Sequence, residues 1–168
     1  MSKKLVVVLF VVILMIFIGC GNKPSRTAKE YWDSAVTLFD GENYQGCIEQ
    51  YQNLIKFYPE DTLTIKALFA IAEIYKNNLK DLDNSIATYK KITEKYADSE
   101  KAPNAMFMIG YIYANDLKDY DKAKESYNNF LKTYPDHMLV PSAKWELQNL
   151  GKSLDEIPQL QVITKSEK

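Results

Sequence analysis

Histidine, cysteine, glycine and proline are all scarce: one His, two Cys, six Gly and six Pro in 168 residues. The glycines form no Gly-rich phosphate loop, no His-Glu-x-x-His run exists for a catalytic metal, and the cysteines, Cys20 and Cys47, lack zinc spacing. His137 follows Pro135 in a loop-forming stretch, where a surface position without chemistry is the default. Acids such as Glu73 and Asp116 are present, but no pattern sets two of them around one reacting centre. The expectation is therefore a protein that is not an enzyme and needs no cofactor or metal. Strong charge of either sign is also lacking: 21 basic residues stand against 22 acidic ones, interleaved along the chain. Nucleic acid requires a basic patch or stripe, so it is not the expected partner.

What is present begins at the N-terminus. Lys3 and Lys4 precede an unbroken apolar run from Leu5 to Ile18, which reads as a secretion signal over residues 1–19. The run is shorter than the roughly 20 apolar residues of a spanning helix. It ends in Phe17-Ile18-Gly19-Cys20, which resembles the lipobox of bacterial lipoproteins: Gly19 and Cys20 fit, and Phe17 departs from the usual aliphatic residue. The resemblance implies acylation of Cys20, with residues 20–27 as lipidated N-terminus and tether. Acyl chains hold by about 0.8 kcal/mol per buried methylene, so two or more anchor firmly. Gly21 rather than Asp after the cysteine implies onward sorting to the outer membrane, facing the periplasm, or to the cell membrane in a host with a single membrane. If Cys20 carries lipid, Cys47 has no intramolecular partner, and packing alone must hold the fold.

Beyond the tether the chain repeats with a period of 38 residues. Tyr51, Tyr89 and Tyr127 fall into register, as do Tyr58, Tyr96 and Tyr134, and Leu54, Ile92 and Phe130. A period of this size predicts stacked supersecondary units. Each unit divides into two helical segments with apolar spacings of three and four, and Pro59 and Pro135 stop the second segments. Small and large residues pair in both helices: Ala35 with Leu38 and Cys47 with Tyr51, Ala72 with Tyr75 and Ser85 with Tyr89, Gly110 with Tyr113 and Ala123 with Tyr127. This pattern resembles the tetratricopeptide repeat. The implied architecture is all-α, a solenoid of about three helix pairs plus a C-terminal capping helix. The expected domain spans 28–152, with units near 28–61, 65–99 and 103–137, a cap at 139–152 and a polar tail at 153–168. Two departures are visible: units two and three carry one extra residue between their helices, and Ala97 replaces the terminal proline of unit two.

The resemblance further implies a concave groove lined by the first helices. Mapped residue by residue, the groove would hold Trp32, Val36 and Phe39 from unit one, Lys66, Phe69 and Glu73 from unit two, Asn104, Phe107 and Tyr111 from unit three, and Trp145 from the cap. Trp32, Phe69, Phe107 and Trp145 share one register position. They form either an exposed ladder fit for protein or peptide partners or rings packed as core. The Tyr ladder of the second helices reads as packing, and Cys47 as a small buried hydrophobe.

The lipobox, the repeats that follow it, and the junction from Tyr96 to Ala105 resemble the lipoprotein subunit of the outer-membrane β-barrel assembly machine. That junction is also similar to the repeat domain of the Tol-Pal-associated cell division coordinator. These resemblances leave two non-enzymatic expectations: a module capturing client segments in its groove during outer-membrane protein assembly, or an envelope adaptor linked to Tol-Pal or peptidoglycan machinery. In both, partners are proteins, and a membrane is met through the acylated N-terminus.

Overall fold

The computed structural model describes residues 23–157; the signal segment and Cys20 lie outside the described residues. Seven α-helices follow one another: α1 Ala28–Asp40, α2 Tyr44–Phe57, α3 Thr62–Glu73, α4 Leu82–Lys95, α5 Ala102–Tyr111, α6 Tyr120–Thr133 and α7 Val140–Asn149. Each packs on its predecessor and successor, and the short connections make successive helices antiparallel. No strand occurs among the described residues, and no described helix is long and apolar enough to cross a membrane.

The starts of the second helices repeat as faithfully as the tyrosines. Asn43, Asp81 and Asp119 each accept a hydrogen bond from the backbone N–H three residues on, at 3.0, 3.0 and 3.1 Å, satisfying a donor that the first helical turn leaves unpaired. The residue before each cap, Glu42, Lys80 and Lys118, has φ near +57° (58, 56 and 56). That left-handed backbone crowds a β-carbon. α1 begins with a capping box in which Thr27 and Glu30 serve each other's backbone. α5 and α7 instead carry a proline in the first turn, where a missing N–H is harmless.

The extra residue of units two and three lies inside the first helix, not in a longer turn. α3 runs on into a π-helical turn, Ile74–Asn78, and α5 into another, Ile112–Asp116. All three units then close through equivalent groups: the N–H of Asn43, Asp81 and Asp119 donates to the carbonyl of Leu38, Tyr75 and Tyr113 at 2.8, 2.8 and 2.9 Å. A π turn is an α-helix with one residue inserted, so the insertion is absorbed before the closing bond. The other departure has no effect on the turn: the N–H groups of Tyr58, Tyr96 and Tyr134 donate to Leu54, Ile92 and Phe130 alike, although Ala97 stands where the others have proline.

Three apolar cores alternate with the units, each built from a helix pair and the first helix of the next. Tyr31, Ala35, Ile48, Tyr51 and Leu54 meet Ala67 and Ile71 of α3. The neighbouring face of α3, Leu68 and Ala72, joins Ile86, Tyr89, Ile92, Ala105 and Ile109. The third core holds Ala114, Ala123, Tyr127, Phe130 and Ala143 of α7. Helices approach where side chains are small: a β-carbon on Gly110 would stand 2.8 Å from the Tyr127 ring. The Cys47 thiol is fully buried, and burial pushes its pKa up to about 11, leaving an inert side chain.

Both ends of the described residues carry contacts outside the seven helices. The tether is pinned before α1: Tyr58 Oη donates to the Arg26 carbonyl at 2.7 Å, and the Arg26 guanidinium reaches Ser34 and Gln50. After α7 the chain turns at Gly151, φ +75°, and the Ser153 N–H and hydroxyl donate to Glu156. Ile157, at 3% exposure, is buried, so packing extends past residue 152, where a polar tail is expected. One buried isoleucine offers too little periodicity to be seen in advance.

Candidate protein-binding groove

The first helices share one side of the stack, and the small-residue register brings each against its own second helix. The ring ladder is accordingly divided. Trp32 packs on Tyr51 at a centroid distance of 5.0 Å, Phe69 on Tyr89 at 5.3 Å, and Phe107 on Tyr127 at 5.4 Å. Such offset and edge contacts are favourable, and the three rings are half-buried. Trp145 comes next in register but has no tyrosine beneath it, because α7 has no second helix among the described residues. It makes no ring contact there and is 40% exposed.

Two cavities open along this side. The first, about 480 Å³, lies between units one and two and is lined by Val36, Phe39, Tyr51, Ala70, Glu73, Ile74, Asn77 and Asn78. It brings together the expected Val36, Phe39 and Glu73. The Glu73 carboxylate accepts hydrogen bonds from the Tyr89 hydroxyl and from Asn77 Nδ2, the latter at 2.6 Å, so its charge is held against the groove wall. Burial, with Glu73 beside it, drives the Tyr89 phenol far above its usual range.

The second cavity, about 420 Å³, lies between unit three and α7 and is lined by Phe107, Tyr111, Pro141, Ser142, Trp145 and Glu146. It joins Phe107, Tyr111 and Trp145 of the mapped set. Trp32, Lys66, Phe69 and Asn104 line neither cavity: Trp32 and Phe69 cover the tyrosine ladder, Lys66 is exposed and Asn104 half-buried. Between the cavities Lys76 pairs with Asp116 at 3.6 Å and stands 5.7 Å over the Tyr111 ring.

Glu146 is a site residue that the sequence reading passes over. It stands one period after Met108, a partly buried apolar position, and an acid in an apolar register was the available signal. Burial raises its carboxyl pKa above the usual range, opposed by the Asn115 amide. Nearby, the Tyr127 hydroxyl is fully buried without a hydrogen-bond partner; burial, then Glu146 and Tyr111, raise its pKa.

A third cavity, about 500 Å³, lies on the other side, among α2, α3 and α4, with Lys56, Lys91 and Lys95 at its edge. No cluster of His, Cys, Asp or Glu able to hold a metal occurs among the described residues.

No curated protein matches the chain. The family of the tetratricopeptide repeat matches it twice, over residues 66–99 and 104–137, with starts one period apart, on α3–α4 and α5–α6. With the same helix pair, cap and core in unit one, the chain folds as an all-helical tetratricopeptide-repeat solenoid, and its repeats support a role in binding other proteins.

Proposed function

We propose that the protein is a non-enzymatic scaffold, held in the cell envelope by lipid on Cys20, that captures segments of client proteins in its concave groove during outer-membrane protein assembly. The observation that carries the groove reading is the pair of apolar cavities on one side of the stack, each with a carboxylate at its wall. Their size suits side chains of an extended segment or partner helix. Among the aromatic residues lining the two cavities, Phe39, 41% exposed, and Trp145 are the exposed ones. Anchoring and address rest on the Gly19-Cys20 resemblance.

The adaptor reading is favoured by the lysine-edged cavity on the other side, a surface on which machinery could assemble without the groove. Photocrosslinkers at Phe39 and Trp145, and separately at Lys91, distinguish the two in the native envelope. Assembly-machine components or unfolded outer-membrane clients crosslinked from the groove positions, and lost in Phe39→Ala with Trp145→Ala, support capture. Crosslinks from Lys91 alone overturn it in favour of the adaptor. Labelling with a fatty-acid analogue that disappears in Cys20→Ala tests the anchor.

A further inference from the structure

Trp145 repeats the ring position of Trp32, Phe69 and Phe107 without the tyrosine those rings rest on, so the last cavity of the groove has an open aromatic wall. Three aromatic side chains, Phe107, Tyr111 and Trp145, surround it with Pro141 and Ser142. Glu146 supplies the one full charge of the lining. We infer that this terminal cavity receives the cationic side chain of a lysine or arginine on a peptide lying in the groove, an inference that rests on the groove being a peptide-binding surface.

Ring faces carry negative electrostatic potential and attract ammonium and guanidinium groups, most strongly where water is thinned out. The chain already illustrates this at the cavity's edge, where Lys76 stands over Tyr111; the Asp116 partner of Lys76 balances its charge, so it does not cancel Glu146. An anionic occupant would meet no lysine or arginine in the lining and would face the carboxylate. A purely apolar occupant would strip water from the half-buried Glu146 without giving it a counter-charge, which is unfavourable. The first cavity differs on this point: its Glu73 already accepts from Tyr89 and Asn77. Glu146 has the Asn115 amide near it and no ion pair among the described residues. The unpartnered Tyr127 hydroxyl close by adds a polar group that no side chain of the fold satisfies.

The test uses the full chain in mild detergent and follows the indole N–H resonance of Trp145, assigned by its disappearance in Trp145→Phe. Capped nonapeptides of alanine and serine carry a central lysine, arginine, norleucine or glutamate. The expected result is saturable movement of the Trp145 signal with the lysine and arginine peptides, about five- to thirtyfold tighter than with norleucine, and loss of that preference in Glu146→Gln, whose folding is checked by circular dichroism and melting temperature. Equal binding of lysine and norleucine peptides would overturn the cation site while leaving the groove reading intact. A preference for glutamate, or no response of Trp145 to any peptide, would overturn it as well, and the groove reading would then stand or fall on the crosslinks at Phe39.

Discussion

Tyr89 and Tyr127 occupy the same place in successive units, both fully buried, and differ in one bond. The Tyr89 hydroxyl donates to the Glu73 carboxylate; in the next unit Tyr111 stands where Glu73 would, and the Tyr127 hydroxyl has no partner. A hydrogen bond to a charged acceptor contributes about 1.5–3 kcal/mol, whereas a buried hydroxyl with no partner only costs desolvation. Urea denaturation at unchanged m-value should therefore show Tyr89→Phe destabilised by about 1.5–3 kcal/mol, and Tyr127→Phe neutral or up to about 1 kcal/mol more stable. Equal losses at both would mean that the Tyr127 hydroxyl has found an acceptor.

Among the helices, the turn between partners is the element whose chemistry repeats most closely. Lys80 and Lys118 hold left-handed backbone there, a conformation costing a side-chain-bearing residue roughly 1–2 kcal/mol, part of which glycine returns to unfolded-chain entropy. Lys80→Gly should raise stability by up to about 1 kcal/mol, read from the urea midpoint. The caps add a pH dependence. Hydrogen bonds from Asn84 to Asp81, and from Lys122 to Asp119, lower both carboxyl pKa values in the fold. Their contribution is thus present above the ordinary aspartate pKa near 3.8 and is lost as pH falls through the lowered folded values. Melting temperature should drop through that acidic window, and an Asp81→Asn, Asp119→Asn double variant should lose part of the slope, since unit one already uses the non-titrating Asn43. Much of this element was legible: the 38-residue period placed Tyr51, Tyr89 and Tyr127 correctly because buried rings tolerate little drift. The spacing shows one inserted residue in units two and three but not its place, since whether a helix or a loop absorbs one residue depends on which carbonyl closes it. The rings of Trp32, Phe69 and Phe107 were placed in the right helices, yet how far each is covered depends on the second-helix tyrosine below it. Glu146 was missed because an acid in a capping helix reads first as a solvated face.

At the scale of the whole molecule, stability in a stack comes from each unit and its neighbours. The central helices α3 and α5 each serve two cores, whereas α7 serves one, through buried Ala143 and partly buried Val140 and Leu147, and its Lys144, Trp145 and Gln148 are exposed. Native-state hydrogen exchange should find α7 opening at lower free energy than α4, with amides of Ile86 to Ile92 among the slowest. Uniform protection across the helices would mean that α7 is covered on both sides.

The pinning of Arg26 sets a length. Ser25 is already engaged with Tyr31, so with Cys20 acylated as proposed, the chain from Cys20 to Ser25 can reach at most about 17 Å at roughly 3.4 Å per residue. That is about half the thickness of a bilayer's hydrocarbon core. On that proposal the leash would keep unit one near the lipid headgroups and leave the Trp145 end on the aqueous side, farthest from the anchor.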